Sequence, residues 1–98
     1  IAAVLAAKNT SSLIPLCHPL PLTSVDVKVE TENTTVRVTA KVKTKAPTGV
    51  EMEALAAVSA ALLSVWDMTK QYEKDAEGQY PSTVVEGIRV LRKIKQKT

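Results

Sequence analysis

Two stretches of this chain alternate strictly between apolar and polar positions. Val25, Val27 and Val29 interleave with Asp26, Lys28 and Glu30, and Val36, Val38, Ala40 and Val42 interleave with Arg37, Thr39, Lys41 and Lys43. Period two marks a strand with one apolar and one charged face, and Glu32-Asn33-Thr34 between the runs makes a turn. A β-hairpin is therefore predicted. Past the breaker Ala46-Pro47-Thr48-Gly49 the period changes. Met52, Leu55, Ala56, Ser59, Leu62, Leu63 and Trp66 recur at three- and four-residue steps, which predicts an amphipathic helix over residues 50–73.

The remaining segments are shorter. Residues 1–8 are alanine-rich and uncapped, as in the tail of a helix that ends at Lys8, and residues 9–12 form a polar break. Residues 76–82, with Gly78 and Pro81, read as an uncommitted polar loop. Val84, Ile88, Val90 and Ile94 share one face of a last strand over residues 84–95. The order is helix, strand, strand, helix, strand, which fits an α+β domain with helices on one face of an antiparallel sheet. A strand ahead of the first helix would complete the βαββαβ order of a ferredoxin-like fold.

Composition narrows the function. At 98 residues the chain is one domain spanning residues 1–98, and its hydrophobic share of 45% is ordinary. With no Phe, one Trp and two Tyr, the core is built of small aliphatic side chains that suit close helix-on-sheet packing and subunit interfaces. A single cysteine excludes an internal disulfide, and the longest apolar stretch, residues 54–66, is short for a membrane span and carries two serines. A reducing cytoplasmic setting is expected. The net charge of +3 is too small to argue for nucleic acid but suits an anionic small molecule if the cations converge. An RNA-binding sheet would also need strand aromatics, which the hairpin lacks.

The candidate chemistry begins at Leu13-Ile14-Pro15-Leu16-Cys17-His18-Pro19-Leu20. Prolines fix φ and push the preceding residue to extended conformations, so the only cysteine and the only histidine sit on a stiff, irregular ledge. Histidine as a residue type titrates near neutrality. No further Cys or His exists to complete a zinc site, and no residue stands out as the nucleophile of a catalytic triad.

Three other places need weighing. In Gly49-Val50-Glu51-Met52-Glu53 the two carboxylates favour the positive end of a helix, or else one meets a ligand and the other orients a basic group. Asp67 and Lys70, three apart on a helix face, make either a surface ion pair or an acid–base pair beside a pocket near Trp66. Lys8 either complements its helix dipole or serves as a cation for a ligand.

Taken together, these segments resemble one family. Ala6 through Leu20, Thr48-Gly49-Val50-Glu51-Met52-Glu53-Ala54-Leu55 and Asp67-Met68-Thr69-Lys70 are similar to the molybdenum cofactor biosynthesis protein C family, the cyclic pyranopterin monophosphate synthases. The likeness extends over almost all of the chain up to Lys70, and LCHPL and GVEMEAL are its most specific pieces. It implies a ferredoxin-like subunit, a hexamer built as a trimer of dimers, and sites at subunit interfaces.

The implied reaction converts the cyclised GTP derivative 3′,8-cyclo-7,8-dihydro-GTP to a pterin carrying a cyclic phosphate, with release of pyrophosphate and no metal or redox cofactor. Leu16, Cys17, His18, Glu51, Met52 and Glu53 fall on substrate-contacting positions. Asp67 falls on the catalytic aspartate, and Lys70 and Lys8 on essential lysines, with His18 also placed to move a proton. Two departures accompany the likeness. A first strand, the start of the first helix and a lysine-bearing segment expected ahead of residue 1 are absent from this chain. Lys97 takes the place of a tail lysine without its flanking glycines, and residues 72–82 look like a lineage-specific loop. A non-catalytic ferredoxin-like binding or regulatory module is the alternative, with Asp67 and Lys70 only an ion pair.

Overall fold

The computed structural model describes residues 1–15 and 17–94; Leu16 and Lys97 lie outside the described residues. The elements are α1 (Ala2–Lys8), α2 (Thr10–Leu13), β1 (Leu22–Glu32), β2 (Thr35–Thr44) and α3 (Glu51–Glu73). The hairpin and the long helix follow the predicted periodicities. α3 begins one residue late because Val50 serves as its N-cap.

The polar break is partly helical. Thr10 is buried, and its hydroxyl donates to the carbonyls of Ala6 and Ala7 at 2.8 and 3.1 Å. A threonine that bonds back to the preceding turn can continue a helical path while satisfying its own polar atom, so the polar residues 10–12 belong to α2.

β1 and β2 pair only with each other, antiparallel, through a two-residue connection in which Asn33 takes a left-handed φ of 51°. The register places Val25 opposite Val42, Val27 opposite Ala40 and Val29 opposite Val38. One irregularity stands at the entry: Leu22 pairs with Thr44 and Ser24 with Lys43, leaving Thr23 as an inserted residue. Leu22 and Val25 both pack on the core. Three residues apart in a regular strand, they would face opposite sides. The bulge at Thr23 absorbs the odd spacing.

The core lies where α1, α3 and the base of the hairpin meet. Ala3, Ala7 and Ala57 form its centre, with Leu22, Val25, Ala40, Val42 and Ala61 against them. Alanine lets α1 and α3 approach closely. α3 is long and apolar enough, by length and composition, to cross a membrane; here it lays its alanine face on α1 and β2. Its Ser59 and Thr69 hydroxyls donate to carbonyls one turn back, at 2.8 and 2.7 Å.

Two expectations need correction. The last strand over residues 84–95 does not form among the described residues: the sheet has two strands, and residues 84–94 have no ladder partner. Apolar alternation says which face of a segment is apolar and does not by itself supply a pairing partner. Instead, Tyr80 packs at a tilt against Trp66 near the end of α3, with centroids 5.2 Å apart, and Lys93 pairs with Glu51 at its start. The segment between these two pins thus runs back along α3.

The loop at residues 76–82 also has more structure than its composition suggests. The Asp75 carboxylate accepts the amides of Glu77 and Gln79 at 2.9 and 2.8 Å, and Gly78 turns the chain at a φ of 77°. The hairpin's apolar face, finally, is covered only at its base. Val27 and Val29, farther along, are exposed.

Candidate active site

Three groups of side chains carry the candidate chemistry. The first is built by the hairpin register. Pairing of Leu22 with Thr44 brings the chain entering β1 beside the chain leaving β2. The Thr44 hydroxyl ties the two together, donating to the Pro21 carbonyl at 2.8 Å and accepting the Ala46 amide at 3.1 Å. The proline ledge and the connection into Glu51-Met52-Glu53 therefore leave the hairpin from one end. On the ledge, His18 is exposed and Cys17 half-buried, with the thiol 3.9 Å from the His18 carbonyl as a weak donor.

At the start of α3 the two glutamates diverge, as a two-residue step on a helix requires. Glu51 is half-buried and holds Lys93 in an ion pair. Glu53 is only 3% exposed. A buried carboxylate is costly unless compensated. Met52 between them is exposed. Gly49 is shaped to this arrangement: a Cβ there would lie 2.5 Å from one Glu51 carboxylate oxygen and 2.6 Å from the other.

The second group is Asp67 and Lys70. The Lys70 ammonium donates to Asp67 Oδ1 at 2.8 Å, with the two side chains 49% and 72% exposed. That hydrogen bond and the attraction between the charges lower the Asp67 pKa and raise that of Lys70, so each group moves away from neutrality. Asp67 is held as a carboxylate and Lys70 as an ammonium. Trp66 and Tyr80 stand beside them, with the Lys74 ammonium 5.9 Å from the Tyr80 ring centroid.

The third is Lys8, whose exposed side chain closes α1 and lines a shallow cleft with Val4, Leu22, Thr23, Ser24 and Val25.

These groups do not form one pocket. At about 1.5 Å per residue along a helix, Asp67 stands about 21 Å from Glu53. Reacting groups must sit within about 3.5 Å of the atoms they act on, so the two ends of α3 cannot act on the same atom of a ligand within a single subunit. Among the described residues, no three His, Cys, Asp or Glu side chains converge as they would around a metal.

Sequence reasoning missed Lys93, the shaping role of Gly49 and the bulge. The first depends on a long-range contact that no local pattern encodes. The odd Leu22–Val25 spacing could have revealed the bulge.

Comparison with known proteins supplies the remaining information. A model of the MoaC family matches residues 1–96. A protein of Saccharolobus solfataricus is 54% identical over 96 residues, covering 98% of this chain and 64% of its own length. One from Sulfurisphaera tokodaii is 57% identical over 94 residues, covering 96% and 62%, and one from Archaeoglobus fulgidus is 55% identical over 95 residues, covering 97% and 61%. Each of the three is named "probable cyclic pyranopterin monophosphate synthase". The chain thus spans somewhat under two thirds of these relatives' length.

Proposed function

Because the chain belongs to the MoaC family, we propose that the protein is a lyase of molybdenum cofactor biosynthesis. In this reading it converts the cyclised GTP derivative to cyclic pyranopterin monophosphate and releases pyrophosphate. The observation that carries the reading is the family match across residues 1–96, which takes in the ledge, the Glu51-Met52-Glu53 start of α3 and the Asp67–Lys70 pair.

The roles follow from the chemistry of each group. Departing pyrophosphate carries charge that Lys8 and Lys70 neutralise, and positive groups positioned in advance stabilise such charge most. Asp67, beside the Lys70 ammonium, accepts a proton during ring rearrangement. His18 moves a second proton from the ledge, and Cys17, Met52 and Glu53 line the pterin end. Glu51 orients the basic Lys93. No resident metal or redox cofactor takes part.

The working unit is a homo-oligomer, a hexamer arranged as a trimer of dimers. Two facts favour an assembly. The groups at opposite ends of α3 cannot reach the same reacting atom without a second subunit, and large apolar side chains stand free on the single chain, among them Leu63 at 62% and Leu91 at 70% exposed. The hairpin followed by α3 on one face supplies the ββα half of a ferredoxin-like fold. A freely diffusing anionic substrate places the work in the cytoplasm, away from membrane and nucleic acid.

The test is pyrophosphate release from the cyclised GTP derivative by the full-length protein. Lys70→Ala and Asp67→Asn should each lower kcat/KM by about a hundredfold or more, in the range expected for groups handling transition-state charge or protons. Normal turnover by both variants would remove Asp67 and Lys70 from the mechanism. Tight binding of the substrate with no release of pyrophosphate would favour a non-catalytic binding module instead.

A further inference from the structure

The end of α3 and the loop after it run through solvent with one exception. Residues 71–79 and 81–82 are all exposed, whereas Tyr80 between them is half-buried. The turn that delivers this ring is closed by its own atoms. The Asp75 amide donates to the Gln79 carbonyl at 2.9 Å, and the Asp75 carbonyl accepts the Gly78 amide at 3.1 Å. Its carboxylate takes the amides of Glu77 and Gln79 as well. Pro81 then narrows the backbone choices of Tyr80 towards extended ones.

Tyr80 reaches two points on α3. Its ring packs against Trp66 at a tilt of 55°, and the Lys74 ammonium lies 5.9 Å from its centroid. Lys70 stands midway between those two residues, about 6 Å along the axis and about 40° around the helix from each. A ring that meets both neighbours therefore lies over the Lys70 side chain. The electrostatics agree: after the hydrogen bond and charge of Asp67, Tyr80 adds to the upward shift of the Lys70 pKa.

Such a wall matters because the Asp67–Lys70 pair is weakly held by itself. Its side chains are half or more exposed, and exposed ion pairs contribute little. Lysine is also among the side chains that lose most rotamer freedom when fixed. A ring against one side of the stem removes rotamers that lead away from Asp67.

We propose that Tyr80 is a positioning residue whose ring walls the Lys70 side chain onto Asp67 and so keeps the ammonium where the reaction uses it. That use rests on the function proposed above, whereas the restraint on Lys70 rests on the geometry of the loop and helix. Residues 72–82, which the family likeness left without a task, thereby acquire one.

The test takes two readouts on the full-length protein. In carbon-13 lysine spectra, with Lys70 assigned by its loss in Lys70→Arg, the two ε-protons of Lys70 should be inequivalent and shifted upfield by the ring. Tyr80→Leu should collapse them to one signal at the ordinary lysine position, and Tyr80→Phe should leave them as in the parent. In pyrophosphate release, Tyr80→Leu should lower kcat about three- to tenfold with KM changed less than about twofold, and Tyr80→Phe should restore the parent value. In a Lys70→Ala background the Tyr80→Leu change should cost nothing further. Asp75→Ala, which unties the turn and leaves the ring in the chain, should reproduce both losses, so the proposal stays open to refutation even if Tyr80→Leu folds poorly.

Lys70 signals alike in the parent and Tyr80→Leu would overturn the positioning role. So would an equal Tyr80→Leu loss with and without Lys70, which is what a purely structural ring would give. The two readings fail separately. Turnover indifferent to Tyr80→Leu removes the positioning role alone, whereas a Lys70 freed by Tyr80→Leu in a protein without turnover removes the function and keeps the restraint.

Discussion

At the scale of single residues, charge and space are arranged more tightly than the sequence pattern alone conveys. The Asp67–Lys70 pair was legible, since a carboxylate and an ammonium three apart on a helix share a face. Its consequence for pH follows from the shift directions. Asp67, lowered in the fold, contributes stability above its unfolded pKa that disappears as pH falls through the folded value. Lys70, raised in the fold, contributes stability below its unfolded pKa that disappears as pH rises through the folded value. The pair is therefore intact from about pH 4 to about pH 10. Asp67→Asn should melt slightly below the parent at pH 7, and the gap should close only as the pH falls through the lowered folded value of Asp67, where both carry a neutral group; a gap that persists in stronger acid would mean the two residues interact by packing instead.

Gly49 and Lys93 illustrate what stayed hidden. Glycine before a helix reads as a breaker, yet this one clears space for the Glu51 carboxylate, and the lysine that holds this carboxylate lies 42 residues further along (93 less 51). Gly49→Ala should push Glu51 off Lys93 and raise KM by about three- to tenfold, as one charge-assisted contact is lost, with kcat little changed. Steady-state kinetics separates these, and a fall in kcat at constant KM would place Glu51 in the chemical step.

At the scale of elements, period-two and period-3.6 patterns located β1, β2 and α3 because their partners are near in sequence or supplied by the same hairpin. Residues 84–94 show the limit of that reasoning. Alternation says which face is apolar, but pairing depends on where a free edge lies, and that is a property of the whole chain. The polar break failed differently, since Thr10 satisfies itself within the helix and so does not terminate it.

The α1–α3 contact depends on size rather than on pattern. Ala57 is wholly buried between Ala3 and Ala7. Ala57→Leu would force the two helices apart and should destabilise by about 1–3 kcal/mol, read as a lower denaturant midpoint. A neutral or stabilising result would mean that the interface is loosely packed.

At the scale of the molecule, the chain is extended for its length. Its radius of gyration is 15.4 Å and its dimensions 56 × 28 × 20 Å, against about 13 Å for a compact domain of about 100 residues. The projecting hairpin accounts for this, and its exposed Val29 together with Leu63 on α3 leaves apolar surface uncovered. Leu63→Asp should shift the protein to smaller species in light scattering coupled to size exclusion and lower turnover in parallel. Retention of the parent's mass with Leu63→Asp would remove Leu63 from the proposed contact between subunits. None of this was readable from composition beyond the abundance of small aliphatic residues, because exposure is a result of folding.

The return segment between Tyr80 and Lys93 has one more property. Its ends are pinned at Trp66 and Glu51, which are about 22 Å apart along the helix axis. The 13 steps between residues 80 and 93 have a contour length of about 43 Å when fully extended. About half of that length is slack. A strap with so much spare chain does not transmit tension from one pin to the other, so Lys93 can leave Glu51 without pulling Tyr80 from Trp66. The return segment therefore adds no mechanical link between the two ends of α3 beyond the helix itself.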